Sequence, residues 1–231
     1  MKGVLKMSEE LRTEEEQVEA IKNWWNENGK SLIVTIVVVL GGYFGWNGYQ
    51  ENQRAQGEAA SSIYQQLMSK ATKPLGEQSE ADKAEMETVA AQLKTEYPGT
   101  LYAQFGGLYL AKFAIEANNF EGAATELQAL VDANNQGPVT YLAQVRLARV
   151  LIQLEKFDEA LALVKTTPEA SFATQYEETK GDVLFAKGEL AQALTAYQAA
   201  RASATALGIN TQVLQRKIDD LAGAKLAAAD A

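Results

Sequence analysis

Adjacent carboxylates are the side chains in this sequence best placed for acid–base chemistry: Glu14-Glu15-Glu16, Glu177-Glu178 and Asp219-Asp220. Two such groups can divide the general acid and general base roles when a dry cleft pushes their pKa values apart. On acidic amphipathic helices, neighbouring carboxylates form a solvated face instead, and that reading fits these pairs better. The sequence has no histidine and no cysteine. Ser-His-Asp and Cys-His nucleophiles are therefore ruled out, as are zinc sites built on imidazole or thiolate. Neither a GxxxxGKS/T loop nor GxGxxG occurs, so no loop is built to cradle a phosphate or a dinucleotide. The expectation is a non-enzymatic protein with no catalytic, cofactor-binding or metal site. Nor does the charge suit nucleic acid: the formal net charge is −9, and residues from Gln50 onward hold 16 Lys/Arg against 23 Asp/Glu without a basic patch. Without cysteine, the fold is indifferent to redox compartment.

With chemistry set aside, the stretch that organises the chain is Ser31 to Tyr49, SLIVTIVVVLGGYFGWNGY. Its 19 residues span roughly 28 Å as a helix, against a hydrocarbon core of about 30 Å. A globular helix of this length carries a polar face, but Leu32 to Leu40 offers only Thr35. A membrane span at residues 31–49 is expected, with 1–30 as a separate segment before it. Arg12, Lys22 and Lys30 precede the span closely, whereas only Arg54 follows it closely. By the positive-inside rule the N-terminus is cytoplasmic and the large domain lies on the other side. A cleaved signal peptide fits poorly, because the preceding segment is acidic and no small-x-small site follows the apolar run. An uncleaved anchor is expected.

Around the span, Trp24 and Trp25 on one side and Tyr43, Trp46 and Tyr49 on the other form paired aromatic belts. Residues 1–13 read as a loose tail. Val18, Ile21 and Trp25 then mark a short amphipathic helix with a stop at Asn28-Gly29. That helix would either anchor at the interface or bind a cytoplasmic partner. Gly41 and Gly45 form a small-xxx-small pair that could pack against another membrane helix, although glycine is common in membrane helices generally. Beyond Tyr49, Ala55, Ala59, Ile63 and Leu67 recur every fourth residue, so the anchor helix should continue until Lys73-Pro74-Leu75-Gly76 breaks it. A second helix fits Ser79 to Tyr97, with Ser79 as N-cap, Asp82 in capping position and Pro98-Gly99 as its end.

From Thr100 the chain repeats itself. Three turns align, at Asn119-Phe120, Lys156-Phe157 and Glu189-Leu190, placing Phe120, Phe157 and Leu190 at spacings of 37 and 33 residues. Small residues recur at Ala111, Ala148 and Gly181 before the turns and at Ala123, Ala160 and Ala193 after them. Large partners follow at Leu127, Val164 and Tyr197. A period near 34 with small-residue crossings is the tetratricopeptide signature. A helix over Asn210 to Ala222 would cap the stack, leaving 223–231 as a weakly ordered tail. The fold class expected is all-α: one N-terminal transmembrane helix, then a tetratricopeptide-like α-solenoid over residues 50–222.

A solenoid offers a concave face lined by the first helix of each pair. In this register it presents Phe105, Leu108, Lys112 and Ile115, then Leu142, Val145, Arg149 and Ile152, then Gln175, Glu178, Asp182 and Phe185. Mixed apolar and basic positions suit an extended peptide or a partner helix. Several of these positions would equally serve packing between units.

The segment Glu16-Gln17-Val18-Glu19-Ala20-Ile21-Lys22 with Trp24-Trp25-Asn26-Glu27-Asn28-Gly29-Lys30 resembles the opening of the ancillary SecYEG translocon subunit family. Arg146-Leu147-Ala148-Arg149-Val150 and Lys180-Gly181-Asp182 are similar to that family's repeat helices. The resemblance implies a single-pass protein of the Gram-negative inner membrane with a periplasmic repeat domain. Its implied partners are the SecYEG translocon, a membrane-anchored periplasmic chaperone of the prolyl-isomerase type, and unfolded secreted proteins. It brings no catalytic residues. A second reading, from a different class, is a membrane-anchored signalling scaffold that sequesters a cytoplasmic regulator through residues 1–30.

Overall fold

Pro74 is the first proline in the chain, and in a computed structural model one helix runs almost to it: α1, Glu14–Ala71. The structure describes residues 14–74, 77–133, 137–167 and 169–229. The expected tail at 1–13, and Leu75 and Gly76 of the expected break, lie outside them. The stop expected at Asn28-Gly29 does not occur. Asn28 folds back to donate from Nδ2 to the Trp24 carbonyl at 3.1 Å. A Cβ on Gly29 would lie 3.1 Å from the Trp25 indole, which therefore covers the glycine backbone. An interior glycine costs a helix only about 1 kcal/mol, too little to end one flanked by good helix formers.

The chain divides into two units, residues 1–55 and 56–231. The first contains the apolar part of α1. Its most apolar window has a mean hydropathy of 1.5 and is nowhere buried within the protein, so by length and composition it suits a membrane crossing.

The second unit is a helical stack with no strand among the described residues. After the end of α1 come α2 (Glu80–Glu96), α3 (Leu101–Glu116), α4 (Phe120–Asp132), α5 (Pro138–Gln153), α6 (Phe157–Leu163), α7 (Ala173–Ala186), α8 (Leu190–Ala206) and α9 (Gln212–Ala229). Each from α2 to α9 packs on its neighbour in sequence, and α5 also packs on α3 and α7. The last helix thus extends past Ala222, where a tail was expected.

The α2 start is tied to the end of α1. Ser79 Oγ accepts from the Asp82 amide at 3.1 Å, while Asp82 Oδ2 accepts from the Ser79 amide at 3.0 Å, closing a capping box. Lys73 Nζ donates to both Asp82 oxygens at 2.8 and 2.9 Å. These contacts, led by the Lys73 bond, hold the Asp82 carboxyl far below the usual aspartate value.

Three turns inside the repeats, and a fourth after α8, share one geometry. Asn118, Glu155, Gly188 and Gly208 have φ of 56°, 58°, 83° and 68°. The residue after each donates its amide to the carbonyl five positions back: Asn119 to Ala114 at 2.8 Å, Lys156 to Leu151 at 2.9 Å, Glu189 to Leu184 at 2.8 Å and Ile209 to Ala204 at 2.8 Å. These are Schellman closures, which satisfy carbonyls that a helix end would otherwise leave bare. The turns expected at Asn119, Lys156 and Glu189 are therefore present, each supplying the N-cap of the next helix.

The small and large positions read from the repeats all enter the core. Ala123, Leu127, Ala148, Ala160 and Ala193 are completely buried, and Ala111, Val164, Gly181 and Tyr197 nearly so. Burying Leu127 in full contributes about 2 kcal/mol. Gly181 matters most at its crossing, since a Cβ there would lie 2.5 Å from the Tyr197 ring. The inner layer of the stack has more members than the repeats alone supply. Tyr64 of α1 packs on Tyr102 and Phe105 of α3, with both ring pairs at 5.4 Å. At the far end, Lys217 of α9 pairs with Glu178 and Asp182 of α7 at 2.9 and 2.5 Å. The inner face therefore runs α1, α3, α5, α7, α9.

Candidate binding groove

The inner face is not uniform. Where α3 meets α5 it opens into a cavity of about 390 Å³, lined by Leu108, Ala111, Ile115, Leu127 and Val150, with Lys112, Glu116, Arg146 and Arg149 around them. A second recess of about 230 Å³ adjoins it, lined by Tyr64, Phe105 and Tyr109 and sharing Leu108, Lys112 and Arg146 with the first. Together they make one groove with an apolar floor and a basic rim.

Local sequence explains how the helices reach this position. Thr100 caps α3 by accepting from the Ala103 amide at 3.1 Å, a contact worth about 1 kcal/mol. Gly106 lets α3 lie against α2, since a Cβ there would stand 2.7 Å from the Ala90 carbonyl oxygen. Gly137 and Pro138 begin α5 with proline in the first turn, where its missing N–H leaves no carbonyl unserved. Arg146 and Arg149 are three residues apart and so emerge on one helix face.

The rim charges differ in their company. Lys112 Nζ lies 3.5 Å from Glu116 and 6.0 and 5.7 Å from the Tyr109 and Phe113 ring centres, within cation–π range. Arg149 reaches Glu178 only at 4.0 Å, and Glu178 is already engaged by Lys217. Arg146 forms no ion pair among the described residues. Burial, then the charge of Arg149, pull its guanidinium below the ordinary value, with Tyr109 opposing. Burial, then the neighbouring Tyr109 and Tyr102, raise Tyr64.

Past Arg149 the inner face closes. Tyr197 donates to Asp182 Oδ1 at 2.8 Å, and Lys217 sits 5.2 Å from the Tyr197 ring centre. Burial, then the Asp182 charge, raise the Tyr197 hydroxyl well above the usual tyrosine value. Glu177-Glu178, one of the carboxylate pairs that opened the chemical reading, divides between Lys180 and the Lys217 network. It faces no cleft. Among the described residues no group of His, Cys, Asp and Glu is placed to hold a metal ion.

The structure brings together five of the expected binding residues, Phe105, Leu108, Lys112, Ile115 and Arg149. Leu142 and Ile152 are half-buried and pack on the core outside the groove lining. Val145 is 2% exposed, packs in the core and is not part of the groove lining. Its helix packs between α3 and α7. Phe185 is open to solvent but lines neither recess. At Gly41 and Gly45, a Cβ would meet nothing within 4 Å, so that face of α1 is open. Arg146, Tyr64 and Tyr109 were missed. The helical spacing from Arg149 could have found Arg146, but nothing in the sequence near Tyr64 signals its contact with α3.

The family of tetratricopeptide repeat-like domains matches residues 22–223. A protein of Aggregatibacter actinomycetemcomitans named as an ancillary SecYEG translocon subunit is 33% identical over 208 residues, covering 90% of this chain and 97% of the relative. The chain belongs to the ancillary SecYEG translocon subunit family. Further relatives of that name come from Haemophilus influenzae, at 31% identity over 209 residues (90% of this chain, 97% of the relative), and Escherichia coli, at 30% over 209 residues (90% and 96%). No solved structure matches this family member. The match to tetratricopeptide repeat-like domains accounts for the solenoid of paired helices.

Proposed function

We propose that this protein is a non-enzymatic ancillary subunit of the SecYEG translocon. The observation that carries the reading is its likeness, over 90% of its length, to relatives bearing that name. Residues 31–49 of α1 span the inner membrane, the N-terminus is cytoplasmic, and the repeat domain is periplasmic. The lysine and arginine bias before the span supports that orientation. Gly41 and Gly45 offer a face for a membrane helix of the channel.

The mechanism is tethering. Confinement to the membrane raises the effective concentration of the repeat domain beside other membrane proteins, so weak pairwise contacts suffice. The groove between α3 and α5 then holds a segment of its partner. That partner is a membrane-anchored chaperone of the prolyl-isomerase type or an emerging secreted protein. Leu108, Ile115 and Phe105 supply the apolar contacts, and Lys112 and Arg149 the polar rim.

Photocrosslinking in living cells from Leu108, Ile115 and Arg149, with Phe185 as a control outside the groove, tests the reading directly. Adducts to translocon components, a chaperone or secreted chains are expected from the groove positions. Equal adducts from Phe185 alone, or loss of all translocon association after gentle extraction, would refute it. Protease added to the cytoplasmic side of sealed vesicles should leave the repeat domain intact.

A further inference from the structure

The basic rim of the groove is out of keeping with the rest of the molecule. The formal charge is −9, yet Lys112, Arg146 and Arg149 border one recess whose lining contains a single carboxylate, Glu116. Glu116 answers Lys112. Glu178, the acid that Arg149 reaches at 4.0 Å, is held together with Asp182 by Lys217 at 2.9 and 2.5 Å. That leaves two guanidiniums three residues apart on α5, of which Arg146 has no ion-pair partner among the described residues and Arg149 only a contact at 4.0 Å. Each raises the energy of the other's charge. Among the described residues, no carboxylate pairs closely with either of them.

The surroundings narrow what that anion is. Guanidinium forks pair with carboxylate or phosphate in two-point geometry. A polyphosphate has nothing to lay on Leu108, Ile115, Leu127 and Val150, and a nucleic acid would have to bring its backbone charge against an acidic domain. A peptide has both parts. We infer that the groove binds a partner segment in which carboxylate side chains alternate with large apolar ones, the carboxylates pairing with Arg146 and Arg149 and the apolar groups filling the floor between α3 and α5. This rests on the reading of the groove as the docking site and adds the chemistry of its occupant.

The test uses the full chain in a neutral detergent and two fluorescein-labelled peptides. One alternates glutamate with leucine and phenylalanine; its twin has glutamine in place of every glutamate. Fluorescence anisotropy should show the glutamate peptide binding about tenfold or more tightly than the twin, the worth of one charge-assisted bond. The advantage should shrink as salt rises. Arg149→Gln and Arg146→Gln should each remove most of the preference with an unchanged helical circular dichroism spectrum, and Ile115→Ser should weaken both peptides alike. Equal binding of the twins overturns the charge inference while leaving the groove as a docking site. Binding of neither peptide by a chain that still associates with the translocon overturns the groove. A preference surviving in the double arginine variant places the acid site elsewhere and overturns it too. Displacement of the peptide by anionic phospholipid micelles, but not by neutral ones, would assign the arginines to lipid instead.

Discussion

Replacing Glu155 by glycine should stabilise this protein although it adds no contact. Glu155 closes α5 with φ of 58°, where the equivalent turns use Asn118, Gly188 and Gly208. A side chain with a Cβ in that region suffers a clash with the following carbonyl worth about 1–2 kcal/mol. Glycine avoids the clash but has more unfolded-state freedom to lose, which offsets about 0.5–1 kcal/mol. The Glu155 side chain is exposed and forms no ion pair among the described residues, so its removal forfeits nothing. The net expectation for Glu155→Gly is a gain of about 0.5–1 kcal/mol, or a rise in Tm of about 1–4 °C for a domain of this size. Urea unfolding of the full chain in mild detergent, followed by far-ultraviolet circular dichroism, should show a higher midpoint with the slope unchanged. Gly188→Ala supplies the mirror experiment and should lose about 1 kcal/mol or more. A midpoint for Glu155→Gly at or below that of the parent, with the slope unchanged, would refute the claim that this turn is strained by its residue type.

Other consequences follow from contacts already described. Gly181→Ala forces a Cβ against the Tyr197 ring and should destabilise by about 1–3 kcal/mol, read from the same urea midpoints. Leu127→Ala, at a completely buried site, should lose about 2–5 kcal/mol. Asp82→Asn should lower stability at neutral pH. Because the folded pKa of Asp82 is depressed, its contribution is complete above the unfolded value of about 4 and fades as pH falls toward the lower folded value. The gap between parent and variant should therefore narrow steadily below about pH 4 in acid titrations of Tm.

Local rules made much of this fold readable. The Asn119, Lys156 and Glu189 turns were legible because a Schellman closure needs a left-handed residue and an abrupt change of periodicity. The small and large positions were legible because a crossing with Gly181 or Ala148 leaves no room for anything else. Asn28-Gly29 misled because a glycine marks a helix end only when the neighbouring residues also favour leaving the helix, and here the Trp25 indole covers the glycine while Asn28 bonds back to the Trp24 carbonyl. The burial of Val145 was not legible, because register sets the face of a helix but not whether a neighbouring helix covers it. Tyr64 could not be found at all: its partners, Tyr102 and Phe105, lie on another helix about 40 residues away, a separation that no periodicity encodes.

The seven residues of α6 make it the shortest α-helix among those described, and within it only Ala160 is buried. In a stack where each unit is held chiefly by its neighbours, cooperativity is no stronger than the weakest junction. The half of the domain that carries the groove and the half locked by Lys217 are therefore joined at α6 by a thin outer layer only, while α5 and α7 pack directly on one another on the inner side. Partial melting should begin there, and amide exchange at α6 should outrun exchange at α5 and α8. The half locked by Lys217 would then stay folded and act as a template on which the loosened helices re-form.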